Sequence, residues 1–201
     1  MELFAVDPQA NLLPDDGVVN YHGRILSIPD ALAYFAALRD QVPWTHDETV
    51  IFGKRIVTAR QVAWYGDASY AYTYSGTTKR ALPWNAELLA LKVLVEKVSG
   101  AKFNSCLLNF YHDGSQGMGW HSDDEKMLER QGAIASLSLG AERKFAFKHK
   151  QTGLTVSMVL ETGSLLVMKG ETQTHWLHSL PKAKSVLQPR INLTFRTIVA
   201  L

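Results

Sequence analysis

Cysteine is nearly absent from this chain: Cys106 is the only one among 201 residues. No intrachain disulfide can form, and a reducing, cytoplasmic setting is expected. Long hydrophobic runs are missing too. No stretch approaches the roughly 20 apolar residues of a membrane span. The start, Met1-Glu2-Leu3-Phe4-Ala5-Val6-Asp7-Pro8, lacks the basic residues and apolar run of a secretory leader. Net charge is also small, +2 from 21 basic and 19 acidic residues, too little by itself to announce a nucleic-acid partner. Repeats, low-complexity tracts and long linkers are absent. Residues 1–201 therefore read as one domain, taken as a monomer with no membrane and no obligate protein partner.

What the chain does contain is ample apolar content, 46% hydrophobic against 20% charged, enough to bury a substantial core. Ser27-Ile28-Pro29-Asp30 is a helix start, and Leu32, Phe35, Ala36 and Arg39 carry helical spacing to about residue 41. Asn85 to Val98 reads as a second helix, with Leu88, Leu91, Val95 and Val98 on one stripe and Gly100 as the stop. Residues 49–65 and 70–75 are rich in β-branched and aromatic side chains and read as strands with turns. Beyond Gly100, strands are expected near 104–111, 117–122, 132–139, 143–149, 154–160, 164–169, 173–178 and 190–198. Eight short strands after two helices predict an α+β, mainly β fold: a β-sandwich or jelly roll flanked by helices on one side. A helix-backed sandwich of different topology is the alternative.

The chemistry-bearing residues cluster in the second half. His121 and Asp123 are two apart, so an extended backbone points both to the same side. Gly114, Gly117 and Gly119 surround them with permissive backbone. A second imidazole from a distant segment would complete two histidines and one carboxylate, the facial set that holds non-haem Fe(II) with positions left open. His175 and His178 are both candidates. His178 is preferred because it immediately precedes Ser179-Leu180-Pro181, where a strand should end. A zinc hydrolase could use the same three ligands with water.

The terminal run Arg190-Ile191-Asn192-Leu193-Thr194-Phe195-Arg196 favours iron. It places Arg190, Asn192, Thr194 and Arg196 on one face and the apolar residues on the other. Two arginines in a donor-rich stripe suit a dicarboxylate co-substrate, which zinc would not require. Asn109 and Tyr111 share a face of their own strand and add two neutral donors. Local basic clusters, Arg143/Lys144/Lys148/Lys150, Lys54/Arg55/Arg60 and Lys79/Arg80, fit either a phosphate-facing footprint or ordinary solvated faces.

These residues resemble the AlkB family of Fe(II)/2-oxoglutarate-dependent nucleic-acid dealkylases, from about residue 48 to the C-terminus. The resemblance is carried by Asn109-x-Tyr111, His121-x-Asp123, Ser136-Leu137-Ser138-Leu139-Gly140-Ala141-x-Arg143, His178-x-x-Pro181 and Arg190-x-Asn192-x-Thr194-x-Arg196. Ile51-Phe52-Gly53-Lys54 and Tyr72-Thr73-Tyr74-Ser75-Gly76 look most like the members that repair duplex DNA and their single-strand-preferring sister. The resemblance implies a double-stranded β-helix core with an N-terminal nucleotide-recognition lid at about 45–82. Iron would be held by His121, Asp123 and His178. Arg190 with Tyr111 would take the far carboxylate of 2-oxoglutarate, and Asn109, Asn192, Thr194 and Arg196 would complete that pocket. With dioxygen, the enzyme would hydroxylate the N-methyl carbon of 1-methyladenine or 3-methylcytosine in DNA, RNA remaining open, and release formaldehyde. Tyr72 would stack on a flipped base against the His121 imidazole, and Asp124 would accept from its exocyclic amine. Tyr74, Ser75, Gly53 and Lys54 would touch the nucleotide, Arg143 a phosphate, and Phe52 would fill the gap a flipped base leaves in a duplex. A hydroxylase of protein or small molecules, and a non-catalytic binder of damaged nucleic acid, are the competing readings.

Overall fold

The computed structural model describes residues 7–51, 54–74 and 77–199, without the side chains of 47–51, 54–56, 72–74 and 77–79. Phe52, Gly53, Ser75 and Gly76 therefore lie outside the described residues. The chain opens with β1 (Val18–Arg24), α1 (Ile28–Gln41), β2 (Thr45–Ile51), β3 (Lys54–Gly66), β4 (Ala71–Tyr74), β5 (Thr77–Arg80) and α2 (Ala86–Ser99). It continues with β6 (Ser105–Tyr111), β7 (Met118–His121), β8 (Ile134–Gly140), β9 (Arg143–His149), β10 (Thr155–Leu160) and β11 (Ser164–Lys169). A single helical turn α3 (Thr172–His175), β12 (Trp176–Leu180) and β13 (Arg190–Arg196) complete it.

Local chemistry sets both long helices. The Ser27 hydroxyl accepts from the Asp30 backbone N–H and Pro29 occupies the first turn of α1, where its missing donor costs nothing. The Asn85 side chain accepts from Leu88 N, and Gly100 closes α2 at φ 70. One expectation shifts: Leu32 is 54% exposed, and α1 buries Ala31, Phe35 and Leu38 instead.

The strands form two antiparallel layers, seven strands in the order β1-β11-β8-β13-β6-β3-β2 facing four in the order β10-β9-β12-β7, as a jelly roll requires. Alternation divides the interior. Ile191, Leu193 and Phe195 of β13 join Leu88, Leu91 and Leu38 in a core between the larger sheet and the helices. The opposite faces enclose a second core, with Tyr111, Phe145, Phe147, Trp176 and Leu180, between the two sheets. The polar stripe of β13 points into that second space.

Three elements differ from the sequence reading. Residues 173–178 are not one strand: α3 ends at His175 and β12 begins at Trp176. β1, at Val18-Val19-Asn20-Tyr21 where no strand is expected, pairs with β11 from Val18↔Lys169 to Arg24↔Ser164. The segment expected to form the lid divides in two. β3 pairs with β6 from Gln61↔Phe110 to Gly66↔Ser105 and so extends the larger sheet with β2, whereas β4 and β5 form their own hairpin.

Candidate active site

The register of the smaller sheet assembles the site. His178 of β12 lies directly across from His121 of β7, and their rings approach to 4.2 Å between centroids. β7 carries one residue more than β12 between their two paired positions, because Leu180 pairs with Met118. This bulge lets Met118 pack into the second core while His121 still turns inward. His121 Nδ1 lies 2.9 Å from the Gly119 carbonyl within the bulge. That contact places the proton on Nδ1 and leaves the Nε2 lone pair for a metal.

His121, Asp123 and His178 bring one donor atom each within 4.8 Å of one another. Asp123 Oδ1 faces His121 Nε2 at 3.8 Å, and Oδ2 accepts from Arg196 Nη2 at 2.7 Å. One carboxylate oxygen is thus tied down and the other is free to ligate. Burial alone would raise the Asp123 carboxyl, but Arg196 and then the two imidazoles outweigh it and hold it below its ordinary value. Burial also pushes His178 down to about 4, so the ring is neutral and its lone pair available near pH 7. The donor set fits an oxygen-activating metal with open positions. The alternative histidine stands elsewhere. His175 groups with Asp16 and His149, where His149 Nδ1 accepts from Thr152 N at 3.1 Å and Nε2 donates to Asp16 at 3.2 Å. Hydrogen bonding occupies both nitrogens of His149.

The larger sheet supplies the second half. Arg190 lies across from Tyr111 on β6 and Gly140 on β8, and Asn192 across from Asn109 and Ser138. Arg190 is 2% exposed and has no ion-pair partner among the described residues. Its Nη2 donates to Ser138 Oγ at 2.9 Å and Asn192 Oδ1 at 2.7 Å, its guanidinium lies 5.7 Å from the Tyr111 ring, and its buried Nε has no acceptor. Burial pushes its pKa down to about 10. A buried cation with an orphaned donor fits an anionic ligand such as the carboxylate of 2-oxoglutarate. Tyr111 is kept protonated, its pKa raised by burial. Asn109 accepts from Arg60 Nε through Oδ1 at 3.0 Å, which leaves its amide nitrogen for a ligand. Asn192 donates to Thr194 Oγ1 at 2.9 Å and accepts from Ser136 at 2.9 Å, so both act as supports in one hydrogen-bonded row.

Arg143, which the resemblance assigns to a phosphate, is instead 1% exposed. Its guanidinium donates to Pro181 O at 2.8 Å, Gln116 O at 2.9 Å and Asp113 O at 3.4 Å. It clamps the loop before β7 to the end of β12, because odd-numbered β9 residues point inward and only the lysines of that basic cluster face solvent. The glycines play a different part from the one expected. None of Gly114, Gly117 and Gly119 has positive φ. A Cβ on Gly114 would collide with the Ala183 carbonyl, and one on Gly117 would come 2.5 Å from Leu180 O. Close approach, not an unusual conformation, requires them, and Gly119 has open space.

A cleft of about 480 Å³ lies on the Asp123 side of the triad, lined by Asp123, Asp124, Gln173 and Arg196 but by neither His121 nor His178. Asp124 is exposed at its edge. Lys54, Tyr72 and Tyr74 lie on β3 and β4, their side chains not described. Ser136, Ser138 and Gln173 have no role in the sequence-based expectation, and Arg60, there part of a basic cluster, turns to Asn109. Gln173 accepts from the Asp123 backbone N–H at 2.8 Å through a contact between residues fifty apart. Only the two serines carried a signal, their alternation in Ser136-Leu137-Ser138-Leu139 on a strand beside β13.

The family description 2OG-Fe(II) oxygenase superfamily matches residues 17–196. The chain is 45% identical over 157 residues to the human DNA oxidative demethylase ALKBH2, covering 74% of this chain and 60% of that protein. It is 39% identical over 171 residues to the human alpha-ketoglutarate-dependent dioxygenase alkB homolog 3, covering 80% and 59%. The match thus spans about three fifths of these relatives' length. The solved structure of OsALKBH1 superposes with a TM-score of 0.64 at 19% identity, covering 92% of this chain and 99% of that one. That likeness concerns the fold.

Proposed function

We propose that this chain, which belongs to the 2OG-Fe(II) oxygenase superfamily and within it to the AlkB family, is an oxidative demethylase of N-alkylated bases in nucleic acid. Its substrates are 1-methyladenine and 3-methylcytosine in DNA, and it acts as a cytoplasmic monomer. The observation that carries the reading is the pairing of an open His121-Asp123-His178 triad with the buried, carboxylate-free cation Arg190 on the facing sheet. The relatives named as DNA oxidative demethylases supply the substrate class.

Bound Fe(II) with 2-oxoglutarate and dioxygen supplies the oxidation of an inert C–H bond, which no side chain can attack. The residues do the rest. His121 Nε2, Asp123 Oδ1 and His178 would hold the metal, and Arg196 keeps the Asp123 carboxylate turned so that its other oxygen is free for it. Arg190, braced by Ser138 and Asn192, takes the distal carboxylate of the co-substrate, with the Tyr111 hydroxyl and the Asn109 amide beside it. Asp124 accepts from the exocyclic amine of the flipped base. Its charge favours the cationic methylated form. Tyr72, Tyr74 and Ser75, with Gly53 and Lys54, contact the nucleotide from the lid, and Phe52 fills the gap in a duplex. Hydroxylation of the methyl carbon gives a hemiaminal that breaks its C–N bond and releases formaldehyde.

The test measures formaldehyde and succinate from matched single- and double-stranded oligonucleotides carrying 1-methyladenine, 3-methylcytosine or no lesion. Lesion-dependent formaldehyde is expected from both. Succinate without lesion-dependent formaldehyde on any oligonucleotide would move the substrate to another class.

A further inference from the structure

The outer face of the smaller sheet holds an aromatic that the chemistry above does not use. The bulge that turns His121 inward sets Gly119 and Trp120 together against Ser179 and turns the Trp120 indole away from the interior. Trp120 is 45% exposed, and among the described residues it makes no ring contact or hydrogen bond. It is the only one of the five tryptophans in this chain that is exposed. A lone exposed apolar residue would mean little. Its surroundings are what matter. Ser179 of β12 pairs with Ala146 of β9, which pairs with Ser157 of β10, a row of small side chains leading away from the indole. Lys144 and Lys148 flank Ala146 on that face, and both are exposed with no ion pair among the described residues. Lys150, next in the series, is instead tied by its Nζ to the Gln173 carbonyl at 2.8 Å and Ser122 Oγ at 3.2 Å, so the free cations of the face are Lys144 and Lys148. Across the outward positions of all four strands there is no carboxylate.

We propose that Trp120 is a stacking platform outside the catalytic pocket for an unpaired base of the single strand that flanks the base under repair. The lysines of the same face supply its phosphate attraction. An exposed flat aromatic beside uncompensated cations is the pattern that binds single strands without reading their sequence. A base flipped toward His121 leaves its neighbours on the same strand free to cross this edge, because Trp120 adjoins the metal ligand on the opposite face of β7. The proposal rests on the nucleic-acid reading above. It adds a contact that strengthens binding of single strands irrespective of the lesion.

The test uses the full chain loaded with Mn(II) and 2-oxoglutarate and an unmethylated single-stranded 12-mer. Iodide should quench the tryptophan emission chiefly through Trp120, and the oligonucleotide should suppress that quenching. By fluorescence anisotropy, Trp120→Ala should weaken the 12-mer at least about fivefold, the lower end for one lost base–aromatic stack. Trp120→Tyr should recover most of it. Should Trp120→Ala fail to fold, the iodide experiment on the unaltered protein and the tyrosine variant still decide. Binding with undiminished iodide quenching, or equal affinities for the alanine variant and the parent, overturns the platform and leaves the demethylase reading standing. If the parent binds no oligonucleotide and yields no lesion-dependent formaldehyde, the demethylase reading falls as well.

Discussion

Replacing Arg190 by methionine separates a residue kept for the fold from one kept for a ligand. The guanidinium is 2% exposed and meets only neutral acceptors, Ser138 Oγ and Asn192 Oδ1, with Nε unmatched. Its pKa, down to about 10, records the desolvation that no neighbouring carboxylate offsets. A buried charge without a counter-ion costs several kcal/mol, so an apolar side chain of similar length should leave the ligand-free protein as stable as before, or more so. The loss should appear on binding. A charge-assisted pair to a buried carboxylate, once broken, typically costs about 2–5 kcal/mol. Affinity for 2-oxoglutarate should therefore fall by roughly thirtyfold to several thousandfold, at about 1.4 kcal/mol per decade. Calorimetric titration of the Mn(II) protein with 2-oxoglutarate reads the second effect, and urea unfolding without ligand reads the first. Unchanged affinity in a folded Arg190→Met variant would refute the assignment. So would a loss of several kcal/mol in ligand-free stability, which would make Arg190 a structural tie.

Four further outcomes are expected. Alanine at His121, Asp123 or His178 should abolish turnover and metal retention while His175→Ala keeps both, and metal loss in the His175 variant alone would reverse the choice of ligand. Asp124→Ala should impair repair of both lesions with metal and 2-oxoglutarate binding intact, and parent-level activity on both would remove its role. Arg143→Ala leaves three loop carbonyls unmatched and should cost about 3 kcal/mol in urea unfolding; unchanged stability with weakened DNA binding would return Arg143 to the phosphate. The metal-free protein should lose stability on acidification from about pH 6.5 to 4, on the order of 3 kcal/mol from His178. Across that window the unfolded imidazole takes up a proton that the folded one refuses, and below about pH 4 the depressed Asp123 carboxyl adds a further loss in the same direction. A flat stability profile would show that the ring is not desolvated.

Much of the site was legible because its information is local. A two-residue period tells which side of β13 is polar, and it separated Arg190, Asn192, Thr194 and Arg196 from Ile191, Leu193 and Phe195. The capping side chains Ser27 and Asn85 and the stop at Gly100 act within one turn, so both long helices were readable to within a residue. His121 and Asp123 share a segment, and their fitness for a metal followed from residue type and spacing.

What depended on the partner strand was decided only by tertiary structure. Strand alternation predicts two faces but not what covers them, so Arg143 and Lys144 looked alike until pairing with β10 and β12 buried one and exposed the other. The choice between His175 and His178 turned on where a helical turn gives way to β12, and that turn packs against residues far away in sequence, with Thr172 holding Val18 across 154 positions. Gly114 could be read as flexible but not as crowded, since the carbonyl that excludes a side chain there belongs to Ala183. The bulge in β7 exists only as a mismatch in count against β12, and it sends His121 to the metal and Trp120 to the solvent. Residue chemistry and period belong to the chain alone, whereas register and burial are properties of pairs of segments, and only the folded structure brings those pairs together.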